Sequence, residues 1–96
     1  MLVLVTYDIN ITTPDGQGRL RRVSKLCVNY GVRVQNSVFE CRVDSTQYAR
    51  LKHDICAVID KDCDSVRFYR LGENYATKVE HFGVERGIKL DDPLIL

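Results

Sequence analysis

The chain lacks any run of about twenty apolar residues of the kind a membrane helix requires; its longest uncharged apolar stretch is Met1 to Tyr7. No basic n-region precedes that stretch to make a signal peptide, so a cytoplasmic protein with no membrane partner is expected. Cys27, Cys41, Cys56 and Cys63 form no C-x-x-C pair and His53 and His81 stand far apart, which excludes the usual zinc patterns and leaves no histidine motif for acid-base work. A phosphate loop of the G-x-x-x-x-G-K-[ST] kind is missing, as are internal repeats and low-complexity segments. With 45% hydrophobic and 28% charged residues, the composition is not that of a disordered chain. Its 96 residues suffice for one domain, and no second catalytic domain is expected.

Net charge is only +1, but it divides unevenly. Residues 1–52 hold eight Lys or Arg against four Asp or Glu, whereas residues 53–96 hold six against nine. A polyanion responds to the local field, so the first half is the candidate nucleic-acid face, although arginine-rich helices also serve as plain solvated surfaces. Cys27, Cys41 and Cys56 fall in apolar patterns and are expected as small buried side chains; Cys63 lies in a polar connection and is expected exposed.

Met1 to Ile9 reads as a central strand covered on both faces, and Asn10 to Gly18, with its Thr, Pro, Asp and Gly residues, as a surface loop. From Arg19 the apolar period lengthens: Leu20, Val23, Leu26, Cys27 and Tyr30 mark one stripe of a helix that Gly31 should stop. Arg21, Arg22 and Lys25 lie opposite that stripe. Gly31 to Asp44 alternates like a strand but is too long for one, so Asn36-Ser37 should divide it. Asp44 and Gln47 form an imperfect capping box before a helix whose stripe is Tyr48, Leu51, Ile55, Val58 and Ile59, ending near Asp60. Ser65 to Leu71 alternates as a fourth strand, which Gly72 ends.

The order strand, helix, strand, strand, helix, strand closes most readily into an α+β, ferredoxin-like antiparallel sheet with both helices on one face. Two helices leave the second face bare, yet Leu2, Leu4 and Thr6 occupy it. A second copy would cover that face by symmetry, so a homodimer is expected. Thr77 to Phe82 is read as a fifth strand able to pair with a partner's sheet edge, giving a domain over residues 1–82 and a tail over 83–96.

Asp8, an acid ending an apolar strand, requires a partner: either the loop after it or a hard divalent cation. Magnesium is held by one or two carboxylates plus waters, so two Asp8 side chains across a two-fold axis could flank one ion, which would polarise a phosphodiester. Arg19, Arg21, Arg22, Lys25 and Arg33 are candidate phosphate contacts. Tyr7 should point to the other sheet face, and Ser37, with no base near it in sequence, suits a turn or interface hydroxyl.

Taken together, the LVLVTYDI strand ending in Asp8, the Arg-rich helix, Gly31 and the segment VQNSVFEC resemble the CRISPR-associated protein two family, and within it the type I-C branch. The resemblance covers residues 1 to about 82. It implies a ferredoxin-like homodimer, Asp8 as the metal-binding catalytic residue at the dimer cleft, and magnesium- or manganese-dependent endonuclease activity in antiviral defence. Double-stranded DNA and single-stranded RNA both occur as family substrates, and a scaffolding role with CRISPR integrase dimers in spacer acquisition is also implied. Arg22 and Arg33 lie where the family often has basic residues; Ser37 and Phe39 match its motif and are supporting candidates with Tyr7. The Asn10 to Gly18 loop is longer than in some members. The expected function is therefore cleavage of double-stranded DNA, with a non-catalytic DNA-binding bridge or an endoribonuclease as alternatives. A small-molecule sensing domain shares the fold but has no ligand motif here.

Overall fold

Alternating side chains of the first strand, β1 (Leu2–Asp8), send Val3, Val5 and Tyr7 into the core, and the strand pairs antiparallel with a neighbour on each side. The computed structural model describes residues 1–84. After β1 come α1 (Gly16–Val28), β2 (Gly31–Gln35), β3 (Val38–Arg42), α2 (Ser45–Val58), β4 (Ser65–Gly72) and a 3-10 turn at Tyr75–Thr77. The strand order β2-β3-β1-β4, all antiparallel, is the ferredoxin-like arrangement. No helix among the described residues is long and apolar enough to cross a membrane.

Helix α1 begins three residues before the Arg19 start read from sequence. Gly16 is its first residue, and a Cβ there would run into the backbone of Asn10 and Ile11, so this glycine serves close packing against the loop. Gly31 likewise is not the helix stop: α1 ends at Val28, and Gly31 opens β2 where any side chain would strike Glu40 and Cys41 across the hairpin. Asn36-Ser37 does divide the long alternating segment, with Ser37 at φ +62°. The capping box on α2 is complete: Gln47 N–H donates to Asp44 Oδ1 at 2.7 Å, and Asp44 N–H donates to Gln47 Oε1 at 2.9 Å.

Val23 and Cys27 from α1, Leu51 and Ile55 from α2, and Val3, Val5, Phe39 and Cys41 from the sheet are fully buried between the layers. Each large aliphatic side chain so buried stabilises the fold by about 1.5–3 kcal/mol. Cys56 departs from the expectation: it is exposed, because it stands one position past Ile55 and so turns about 100° away from the buried stripe. Cys63 is half-buried, not exposed.

On the other side of the sheet, Leu2, Leu4, Val32, Val34 and Val38 floor a groove whose far wall is the chain from Glu73 to Val84. Arg42 lies over the Tyr75 ring at 5.7 Å, and Lys78 Nζ donates to the Leu71 carbonyl at 2.9 Å, tying that chain to the sheet. Thr77–Phe82 forms no strand with its own chain's sheet, whose edges β2 and β4 stay open, and lines this groove instead; the expected pairing is with the sheet edge of a second copy. Phe82 and Val84 stay 87% and 85% exposed. Most of the expected tail, residues 85–96, lies outside the described residues.

Candidate functional site

Strand alternation that buries Tyr7 against the helices places Asp8 on the helix-free face. Asp8 sits opposite Ser65 on β4, and Thr6, two residues back on the same face, sits between Val38 and Arg67. The Asp8 carboxylate is exposed and has no hydrogen-bond or ion-pair partner among the described residues. It does not cap the following loop. That loop is held by Asn10, whose Oδ1 accepts from Thr12 N at 3.0 Å and Thr12 Oγ1 at 2.5 Å, and by an acid from elsewhere in the chain.

That acid is Asp64, which the sequence reading missed. Its side chain is fully buried and accepts from Arg19 Nε at 2.7 Å, Asn10 N at 2.9 Å and Asp60 N at 2.8 Å. Arg19 bonding, together with the Asp60 and Asn10 amides, holds the Asp64 carboxyl well below the ordinary carboxylate range against the opposing effect of burial. The same clamp raises the Arg19 guanidinium, while burial and the nearby acids Asp60 and Asp64 push the Cys63 thiol up. Asp60, Asp62 and Asp64 in one short connection were the available signal, but their partner lies 45 residues away.

Arg19 is therefore a correction. Expected as a phosphate contact, it is buried, and its Nη2 also donates to Thr13 Oγ1 at 2.8 Å, so it joins the loop, α1 and the α2–β4 connection. A guanidinium so committed would have to abandon a buried carboxylate to meet a phosphate. Arg21 and Lys25 are exposed on the outer side of α1 without ion pairs among the described residues, and Arg22 reaches Asp15 at 2.9 Å in an exposed pair. Arg33 is exposed on the helix side of the sheet, 5.2 Å from the centroid of Phe39. These four cations thus share a side of the protein that is not the Asp8 side.

The two sequence motifs meet through the backbone. Tyr7 N–H donates to the Ser37 carbonyl at 3.1 Å, and the Tyr7 ring stacks on Phe39 with centroids 6.3 Å apart. The Tyr7 hydroxyl bonds Ser24 Oγ at 2.7 Å, and burial raises its pKa, so Tyr7 and Phe39 support the end of β1 from behind. Ser37, at the hairpin tip, is the supporting candidate that lies at the Asp8 end of the sheet.

For a hard divalent ion the chemistry of Asp8 fits: an oxygen donor without a competing partner among the described residues, next to the Ser65 position. Among the described residues, no cluster of three or more His, Cys, Asp or Glu could hold a metal ion, so there Asp8 would need further ligands, as a second copy or the substrate could supply. The sequence reading also passed over Arg67 and Tyr69, which share the Asp8 face because Val66 and Phe68 turn inward. Alternation in SVRFYRL gave the faces, while only the register revealed which face Asp8 shared.

Residues 1–79 match the family model described as CRISPR associated protein Cas2. The chain is 59% identical over 95 residues to a protein of Halalkalibacterium halodurans named CRISPR-associated endonuclease Cas2, covering 99% of each. It is 52% identical over 96 residues to one of Nitratidesulfovibrio vulgaris named CRISPR-associated endoribonuclease Cas2, covering 100% of this chain and 94% of the other. The crystal structure of Streptococcus pyogenes Cas2 at pH 6.5 superposes with a TM-score of 0.75 at 55% identity, covering 86% of this chain and 100% of that one. The strand order, the family model over most of the chain and this extent of identity agree: the chain belongs to the Cas2 family of CRISPR-associated proteins.

Proposed function

We propose that this protein is a metal-dependent endonuclease acting in the cytoplasm during CRISPR spacer acquisition, cleaving phosphodiester bonds of double-stranded DNA as a homodimer of the type I-C branch. The observation that carries this reading is the exposed Asp8 carboxylate, which closes the central strand on the helix-free face without a partner among the described residues. Names of relatives support nuclease chemistry, one as endonuclease and others as endoribonuclease. In a two-fold dimer that covers the open face, two Asp8 side chains would hold a magnesium or manganese ion. When bound, such an ion polarises the phosphodiester and lowers the pKa of its water. The protein's own contribution is to hold Asp8 at a fixed place, through β1 pairing on both sides and the Tyr7 anchor to Ser37.

Asp8→Asn is expected to lower cleavage at least a hundredfold, the scale of a lost catalytic group, without altering melting temperature. The assay compares parent and variant on matched duplex DNA and single-stranded RNA across a metal titration. Equal rates, or cleavage indifferent to chelator, would refute the catalytic role.

A second reading rests on the separation of charges: Arg21, Arg22, Lys25 and Arg33 lie on the helix side, away from Asp8. They suit a DNA-binding surface that bridges integrase dimers without cutting. In that case spacer acquisition survives Asp8→Asn and fails when Arg21 and Arg22 are both changed to Glu.

A further inference from the structure

The helix-free face has two zones. Its apolar zone is the groove walled by the chain beyond β4, and its other zone, outside that groove, is the polar strip of Thr6 and Asp8 on β1 with Ser65, Arg67 and Tyr69 on β4. Within the strip Arg67 is the cation nearest Asp8 in register, diagonal to it through the Thr6–Arg67 and Asp8–Ser65 pairs. Arg67 is exposed and has no ion-pair partner among the described residues. Its Nη1 donates to the Tyr69 hydroxyl at 3.1 Å, and Tyr69 is itself 42% exposed.

That single bond uses one of five guanidinium N–H donors and leaves the phenol proton free to donate elsewhere. Four remaining N–H groups and one O–H, held together beside an anionic site, form a set of donors without an acceptor among the described residues. We propose that Arg67, positioned by the Tyr69 hydroxyl, binds the nucleic-acid phosphate next to the one presented to Asp8. Successive strip residues on β4 are two positions apart, about 6.7 Å along the strand, a step comparable to that between neighbouring phosphates of an extended strand. The positive charge also offsets the repulsion between Asp8 and a polyanion. This assignment rests on the nuclease reading for its link to Asp8, but the phosphate contact is tested without cleavage.

Binding of fluorescein-labelled single-stranded RNA and of matched duplex DNA is measured by anisotropy in chelator over a salt series, for the parent, Arg67→Gln, Arg67→Lys and Tyr69→Phe. Arg67→Gln should weaken binding about tenfold, and the slope of log affinity against log salt should fall by about 0.7–0.9 for each Arg67 that meets a phosphate. Arg67→Lys should recover the slope but not the full affinity, since a point charge replaces the fork. Tyr69→Phe should weaken binding a few-fold with the slope kept. The substrate that shows the slope change identifies which nucleic acid the strip meets. An Arg67→Gln protein with parental affinity and slope on both substrates overturns the assignment, as does an Arg67→Lys protein whose slope is no better than that of Arg67→Gln. If Asp8→Asn cleaves normally while Arg67→Gln loses its slope, the catalytic reading fails and the phosphate contact stands.

Discussion

Asp8 closes β1 and Asp64 directly precedes β4, and their environments give them opposite duties. Asp8 is exposed and unpartnered among the described residues, while Asp64 is buried and fully engaged by Arg19, Asn10 and Asp60. Because the Asp64 carboxyl is held below its ordinary range, it contributes stability that is complete above about pH 4 and is lost as pH falls through its own lower titration. Asp64→Asn should therefore melt at a lower temperature at pH 7 and show a flatter loss of stability below about pH 4 than the parent, measured by circular dichroism across pH. Parallel curves for the two proteins would contradict the clamp. The cysteines divide in the same way. Burial pushes the Cys27 and Cys41 thiols up to about 12 and about 11, whereas Cys56 is exposed. Cys56 should be alkylated first in the native protein, with Cys27 and Cys41 modified only on unfolding, as peptide mass mapping over time would record.

At the level of elements, the helix N-termini differ in how they are closed. Helix α2 has its reciprocal Asp44–Gln47 box, but Asp15 makes no side-chain cap for α1. The start of α1 is instead fixed by Gly16 against Asn10 and by Arg19 reaching Thr13 and Asp64. Asp44→Ala should cost about 1 kcal/mol in urea unfolding. Asp15→Ala should cost less, since Asp15 gives only an exposed pair to Arg22. In the β2–β3 hairpin, Ser37 at φ +62° occupies the left-handed region without the freedom of glycine. Ser37→Gly should keep the hairpin and leave the Tyr7 N–H to Ser37 carbonyl bond in place, which amide exchange at Tyr7 would report.

For the whole molecule, the sheet is covered by helices on one side and only partly by its own chain on the other, where Leu4, Val32 and Val34 remain half-buried. The homodimer proposed above would cover them, so the melting temperature should rise with protein concentration. Val34→Asp places a charge in that surface and should weaken association at least tenfold, about 1.4 kcal/mol or more, by sedimentation velocity. A parent protein that sediments as a monomer at all concentrations would remove the shared Asp8 cleft, and with it the metal site.

The sequence by itself determined the element order, the two-faced β1, the α2 capping box and the motif that includes Asp8, because each depends on periodicity or on residues within a turn of one another. Arg19 and Cys56 were misjudged because burial depends on what packs against a residue, and the partner of Arg19 is 45 positions away. Tertiary structure alone decided the role of Gly31, the clamp at Asp64, and which cations share a side with Asp8. Strand register and layer order set those relations, and neither is written in local pattern: alternation tells that Arg67 faces away from Phe68, while the pairing of β4 with β1 places it beside Asp8.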